Sequence, residues 1–104
     1  MRVVQYVLDK TYNLRMDMDA IEKYESCINK SWITTDLGNL TVKQMLTIIW
    51  SASDDDQLTI DSLKKLVNEY SDISELYEKA LETAMATMPE PKEKQGGSKN
   101  AKKV

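Results

Sequence analysis

The sequence predicts an α+β fold that is mainly α-helical, with an N-terminal β-hairpin, about four amphipathic helices and a disordered C-terminal tail. Three observations lead to this prediction. Apolar and polar residues alternate before residue 17, which is typical of strands. Beyond it, apolar residues recur at intervals of three and four, which is typical of helices. After residue 88 they almost disappear, so we expect a single globular domain over 1–88 and a disordered Lys-rich tail over 89–104.

The hairpin is predicted over residues 2–16 with a tight turn at Asp9-Lys10. Its two strands each carry three apolar side chains on one face. These six residues are Val4, Tyr6, Leu8, Tyr12, Leu14 and Met16. An isolated hairpin is only marginally stable in water, so this face must pack against the helices that follow.

The first two helices are predicted at about 17–30 and 41–53. Asp17 is a candidate N-cap for the first, and Thr41 with Gln44 forms a capping box for the second. The apolar positions are Ile21, Tyr24 and Ile28 in the first helix and Val42, Met45, Leu46 and Ile49 in the second. Between the helices we expect a loop that buries Trp32 against the body of the protein.

The last two helices are predicted at about 60–70 and 72–88, with Thr59 and Asp72 as N-caps and Pro89 as the stop. The apolar face of the third helix comprises Ile60, Leu63, Leu66, Val67 and Tyr70. That of the fourth comprises Ile73, Leu76, Tyr77, Ala80, Leu81, Ala84, Met85 and Met88. We expect Met85 to lie in the core.

The composition argues against an enzyme. The chain has no histidine, one cysteine and three glycines, so it lacks histidine-based catalysis, a zinc site and a phosphate-binding glycine loop. We therefore expect no catalytic, cofactor-binding or metal-binding residue. The absence of a membrane-length apolar run and of a signal peptide predicts a protein that stays in the cytoplasm.

The charge is divided unevenly along the chain. Residues 1–88 hold nine Lys and Arg against fifteen Asp and Glu, a net charge of −6, whereas residues 89–104 hold five Lys against two Glu, a net charge of +3. An acidic body argues against nucleic acid as the main partner, because phosphate contacts require a basic face.

Four aspartates cluster in the stretch "DDDQLTID", at 54, 55, 56 and 61. A calcium loop that began at Asp54 would need glycine and glutamate at its sixth and twelfth positions, which are Thr59 and Lys65. The stretch therefore favours a solvated linker with acids near the N-terminus of the third helix.

The tripeptide Asp61-Ser62-Leu63 resembles the site at which acyl carrier proteins bear phosphopantetheine on a serine. The glycine that usually precedes that tripeptide is absent, and a hairpin replaces the first helix of such carriers. A serine in the first turn of a helix is also common for capping reasons alone.

The order of elements resembles the tail assembly chaperones of long-tailed bacteriophages and the related tail protein of gene transfer agents. The similar segments are a hairpin "YVLDKTYNLRMDM" with Tyr12 and Leu14, a helix containing "IEKYE", a capped helix "LTVKQMLTIIWSAS", an acidic linker, and the helix entry "LTID". The resemblance covers residues 3 to about 90.

This resemblance implies a non-enzymatic protein of the host cell cytoplasm that keeps the tape measure protein soluble and helps to recruit tail tube subunits. It also implies a longer form of the chain, made by ribosomal frameshifting, and absence from the finished virion. The lysine-rich end is compatible with slippery codons at such a frameshift.

A chaperone of this kind needs apolar surface beyond its own core, used for a partner or for a homo-oligomer. The predicted partner-binding residues are Trp32, Ile33, Leu37, Trp50, Tyr77 and Met88. Two other classes stay open: a small acidic regulatory or inhibitory binding protein, and a phosphopantetheine carrier that depends on Ser62.

Overall fold

The computed structural model describes residues 2–86, and the predicted tail at 89–104 lies outside the described residues. The order of elements is a hairpin followed by four helices, which confirms the predicted fold class. The strands are β1 (Val4–Val7) and β2 (Thr11–Leu14). The helices are α1 (Met18–Ile28), α2 (Val42–Ala52), α3 (Ile60–Tyr70) and α4 (Ile73–Met85). Two short 3-10 turns, Trp32–Thr34 and Leu37–Asn39, lie between α1 and α2.

The hairpin is antiparallel, with Val4 opposite Leu14 and Val7 opposite Thr11. Its inner face is the one that the alternation predicted, since Tyr6, Leu8, Tyr12, Leu14 and Met16 are all buried. The outer edge of β2 is occupied by the end of α2: Leu14 forms a bridge with Ser53, and the Arg15 N–H donates to the Ala52 carbonyl at 2.8 Å. These bonds fix the sheet to the helical body.

Helix α2 lies at the centre of the domain and packs against α1, α3, α4 and β2. Its buried residues are Met45, Leu46, Thr47, Ile48, Ile49, Ser51 and Ala52. Three neighbouring helices and a strand leave little of α2 for water, so the buried side is wider than the predicted four-residue face. The buried Thr47 hydroxyl donates to the Lys43 carbonyl one turn earlier at 2.6 Å, which satisfies it within the helix.

Every predicted N-cap is confirmed. The side chains of Asp17, Thr41, Thr59 and Asp72 each accept a hydrogen bond from the backbone N–H three residues later. The Thr41–Gln44 capping box is complete, because the Gln44 side chain also accepts from the Thr41 N–H at 2.8 Å. These bonds satisfy N–H groups that the first turn of a helix leaves unpaired.

Four apolar residues that were predicted on buried faces are instead about half exposed. They are Val42 (49% exposed), Tyr70 (50%), Ile73 (56%) and Met85 (48%). Each lies at the first or last position of its helix, where the helix extends past the neighbour that covers its middle. The prediction that Met85 lies in the core is therefore wrong. The predicted end of the fourth helix at 88 lies outside the described residues.

Candidate partner-binding surface

Trp32 and Ile33 lie in the first 3-10 turn and have opposite environments. Asn29 adopts a left-handed conformation (φ 64°) that ends α1 and turns the chain. The Trp32 ring then meets Tyr24 edge to face, with centroids 5.0 Å apart, and the backbone N–H of Trp32 donates to Glu25 Oε2 at 2.8 Å. The next side chain, Ile33, is 90% exposed. Trp32 is thus half-buried against α1, in partial agreement with the expected loop that buries it, and Ile33 is free to contact a partner.

Leu37 and Tyr77 are brought together by the fold. The Tyr77 hydroxyl donates to the Leu37 carbonyl at 3.3 Å, which joins the second 3-10 turn to α4. Ile73 precedes Tyr77 by one turn and Leu81 follows it by one turn, so the three lie on one side of α4. We call this set, Leu37, Ile73, Tyr77 and Leu81, the α4 stripe. Ile73 is 56% exposed and the other three are half-buried.

The α4 stripe borders a shallow groove with acidic sides. Its lining residues are Asp72, Ser74, Glu75, Tyr77, Glu78 and Leu81. Asp72 and Glu78 are exposed, whereas Glu75 is half-buried and accepts a hydrogen bond from the Ser71 hydroxyl. Carboxylates beside an apolar stripe favour a partner that carries basic side chains next to apolar ones.

Ser71 connects the start of α4 to the hairpin, because its hydroxyl also lies 2.8 Å from the Tyr6 hydroxyl. Tyr6 is fully buried, and this burial raises the pKa of its hydroxyl above the ordinary value. The network of Tyr6, Ser71 and Glu75 therefore holds the first turn of α4, and with it Ile73, at a fixed position.

Trp50 lies in a different place from the α4 stripe. Its indole N–H donates to the Leu58 carbonyl at 3.0 Å, and the Lys23 ammonium lies 4.5 Å from the ring centroid. Trp50 is partly buried and packs against the core. Since its polar atom is used to hold the linker before α3 and its ring face is occupied by a cation, these contacts give Trp50 a structural role.

The predicted set therefore divides into three groups. Leu37 and Tyr77 share the α4 stripe, while Trp32 and Trp50 contact other neighbours and Ile33 is 90% exposed. Met88 lies outside the described residues. Sequence reasoning missed Ile73 and Leu81 as surface residues because their spacing fits the buried face of α4. The position of Ile73 in the sequence could have indicated its exposure. It directly follows the N-cap Asp72 and is therefore the first residue of α4.

Ser62 is part of a helix cap. Its hydroxyl donates to the Thr59 carbonyl and accepts from the Thr59 N–H, both at 3.0 Å, while its own N–H donates to the Thr59 hydroxyl. The serine takes the place that Glu or Gln has in the usual capping box. Modification of this hydroxyl would remove its proton and with it the hydrogen bond to the Thr59 carbonyl.

The acidic linker binds the hairpin. The Asp54 carboxylate accepts from the Asn13 N–H and the Asn13 side-chain amide, each at 3.2 Å, and Asp55 forms an ion pair with Lys10 at 3.0 Å. A hydrogen bond from the Gln57 N–H, together with Lys10, lowers the pKa of Asp55 below its usual value. Asp61 occupies the first turn of α3, as predicted. Within residues 2–86, no three His, Cys, Asp or Glu side chains are grouped as metal ligands would be.

Comparison with known proteins gives no family that this chain can be assigned to. No protein-family model, curated protein or solved structure matches the sequence or the fold at a significant level. None of the helices in residues 2–86 combines the length and apolar character needed to cross a membrane.

Proposed function

We propose that this protein is a non-enzymatic tail assembly chaperone of a long-tailed bacteriophage, which binds helical segments of the tape measure protein and keeps them soluble. The observation that carries the proposal is the α4 stripe, an apolar surface in which Leu37 and Tyr77 pack against the edge of the core while Ile73 is 56% exposed. The sequence resemblance supplies the biological setting, namely the cytoplasm of an infected host cell.

The stripe has the spacing of a helix-binding surface. Ile73, Tyr77 and Leu81 recur every four residues along α4, and Leu37 extends the surface sideways. An amphipathic helix laid along this surface would place its own apolar residues against them. Covering the exposed part of Ile73 alone would contribute about 1 kcal/mol.

The acidic sides of the stripe narrow the choice of partner. Asp72, Glu75 and Glu78 stand beside it, so the preferred helix carries Lys or Arg next to its apolar face. We propose that the tape measure protein presents such helices. Recruitment of tail tube subunits, and a longer frameshifted form of the chain that would bind them, belong to the same proposal.

A binding experiment with a defined probe tests the surface. The probe is a synthetic helical peptide of about 20 residues with a leucine face flanked by lysines, and a second peptide carries glutamates in place of the lysines. We expect the lysine peptide to bind more tightly, and the double variant Ile73→Ala/Tyr77→Ala to weaken it by about tenfold or more. Met18→Ala is the matched control, because Met18 is 79% exposed on another helix.

A pull-down from infected host cells tests the biological role. A tagged chain should retain a very long helical protein or tail tube subunits, together with a longer form sharing its N-terminus. Recovery of the chain alone, or with host enzymes only, would overturn the chaperone proposal. The Ile73→Ala/Tyr77→Ala variant should lose the long partner while Met18→Ala keeps it.

The acidic groove also supports a second candidate, a small regulatory protein that occupies a basic site. This candidate predicts binding that collapses when salt is raised from about 0.05 to about 0.5 M, because exposed charges are screened. Binding through the apolar stripe would lose only the part of its affinity that comes from the neighbouring carboxylates, and the apolar part would persist over that range. A carrier function through Ser62 would be revealed by added phosphopantetheine in the intact mass after co-expression with a transferase.

A further inference from the structure

The two edges of the hairpin differ. The edge of β2 is bound to the end of α2, where the Arg15 N–H donates to Ala52 and the Asp54 N–H donates to Asn13 at 3.1 Å. In the part of the chain that the structure describes, the sheet has only two strands, so nothing pairs with the other edge of β1. An uncovered strand edge presents unpaired backbone donors and acceptors to another strand.

The register shows which residues of β1 present those groups. In β2, Asn13 and Arg15 direct their backbone groups away from β1, towards 52–54, so Tyr12 and Leu14 are the residues that bond to β1. Their partners are Tyr6 and Val4. Because hydrogen-bonded and non-hydrogen-bonded pairs alternate along an antiparallel ladder, the residues between them aim their N–H and C=O groups at the open edge. Those residues are Val3, Gln5 and Val7.

The same three residues carry the exposed side chains of the strand. Val3 is 44% exposed, Val7 is 61% exposed, and Gln5 is exposed between them. Edge strands usually avoid association by means of charged side chains, prolines or bulges. The stretch 3–7, "VVQYV", contains no charge and no proline.

This edge is complementary to itself. The outward residues read Val, Gln, Val in either direction, so an antiparallel copy centred on Gln5 places Val3 opposite Val7 and Gln5 opposite Gln5. Each of these pairs would exchange two backbone hydrogen bonds, because all three positions have their backbone groups at the edge. Valine side chains would therefore face valine side chains, and glutamine would face glutamine.

The charges beside the edge fit the same symmetry. Lys79 and Glu82 of α4 line a groove of about 560 Å³ together with Arg2, Val3, Val4, Gln5 and Val7. Lys79 and Glu82 form an ion pair at 3.5 Å. A two-fold axis through Gln5 would bring the Lys79 and Glu82 of a second copy to the same edge. Each copy would therefore offer one positive and one negative side chain to its partner.

We propose that two copies of this chain form a symmetric dimer through antiparallel pairing of their β1 strands, which creates one four-stranded sheet. The two-fold axis passes between the Gln5 residues of the two copies. An unrelated strand would gain the backbone bonds, but only a second copy supplies the palindromic side chains and the reciprocal Lys79–Glu82 charges. This inference does not depend on the proposed chaperone function.

The test measures molecular mass against concentration by sedimentation equilibrium on the full chain. The wild type should approach twice 11.9 kDa at high concentration. Gln5→Pro should abolish dimerisation, because proline removes the N–H at the centre of the pairing. The backbone bonds between β1 and β2 stay intact, and only the side-chain bond from Gln5 Nε2 to Asn13 Oδ1 is lost within the hairpin. Thr11→Lys, on the outer face of β2, is the matched control and should still dimerise. Circular dichroism confirms that each variant is folded.

A charge pair tests the register. Gln5→Lys alone should raise the dissociation constant about fivefold, because two lysines would face each other, and Gln5→Glu should do the same. An equimolar mixture of the two variants should form a heterodimer at least as stable as the wild-type dimer. A monomeric wild type, or a dimer that survives Gln5→Pro, would overturn the proposal. The proposal would also be overturned if the mixture of Gln5→Lys and Gln5→Glu had no higher average mass than each variant alone.

Discussion

Helices α2 and α4 have similar amphipathic sequences but different roles. Helix α2 is surrounded by three helices and a strand, and its side chains Ile48 and Ile49 are fully buried. On α4, the residues facing the core are mostly small, including Ala80, Thr83 and Ala84. Leu76 is also buried, but the other large apolar side chains of α4 are partly or about half exposed, which shows that the same apolar spacing can build a core or a surface.

This difference has a packing reason. Small side chains on α4 allow its backbone to approach α2 closely, and close-packed interiors leave no further room for bulky groups. Ile73, Tyr77 and Leu81 therefore remain at the side of the contact. We infer that α2 determines the stability of the domain and that the outer side of α4 is available for binding.

Truncation of α2 should produce the largest loss of stability. Ile48 is 0% exposed, so Ile48→Ala removes a buried group and leaves a cavity. We expect the free energy of unfolding to fall by about 2–5 kcal/mol, measured by urea denaturation. In a domain of this size that loss is a large part of the total stability. A loss below about 1 kcal/mol would contradict the central role assigned to α2.

The N-terminal cap of α2 should matter less than its core. Thr41→Ala removes the hydroxyl that accepts the Gln44 N–H at 3.1 Å, and we expect a loss of about 1 kcal/mol in urea denaturation. Thr41→Ser keeps the accepting oxygen and is the control. Equal losses for both variants would show that the methyl group of Thr41, not the hydrogen bond, is responsible.

The hairpin packs against α2 and α4, and we expect the free energy of unfolding to fall at alkaline pH because of a tyrosine in this hairpin. Burial, followed by the hydrogen bond to Asp9 at 2.8 Å, raises the pKa of Tyr12 to about 12. Because this value exceeds that of an unfolded tyrosine, near 10, the stabilisation is complete below pH 10 and is lost as the pH rises towards 12.

The exposed position of Asp9 permits solvent screening, so we expect the alkaline effect of Tyr12 to be about 1 kcal/mol or less. Urea denaturation at pH 7, 10 and 11 measures it, with the pH values chosen to bracket the tyrosine pKa. Tyr12→Phe should be less stable at pH 7 and lose less than the wild type between pH 10 and 11. If Tyr12→Phe loses as much as the wild type there, the effect belongs to another group, such as the buried Tyr6.

The sequence predicted local structure better than it predicted which apolar residues are exposed. Alternation in the hairpin and the four N-caps depend on neighbours in the chain, and both are confirmed. The exposure of Ile73 depends on where α4 ends relative to α2, a tertiary relation that no local pattern contains. For the same reason, spacing predicted neither the contact of Tyr77 with Leu37 nor the attachment of Asp54 to Asn13.

The smallest effect on stability is expected at Ile73. It is the same residue type as Ile48, but 56% of it is exposed at the first position of α4. Ile73→Ala should therefore change the free energy of unfolding by no more than about 0.5 kcal/mol, measured in the same urea series as Ile48→Ala. A substantially larger loss would place Ile73 in the core and remove the distinction between the two helices. A small loss combined with weaker binding of the lysine-flanked peptide would show that this isoleucine serves association, because the fold itself gains almost nothing from it.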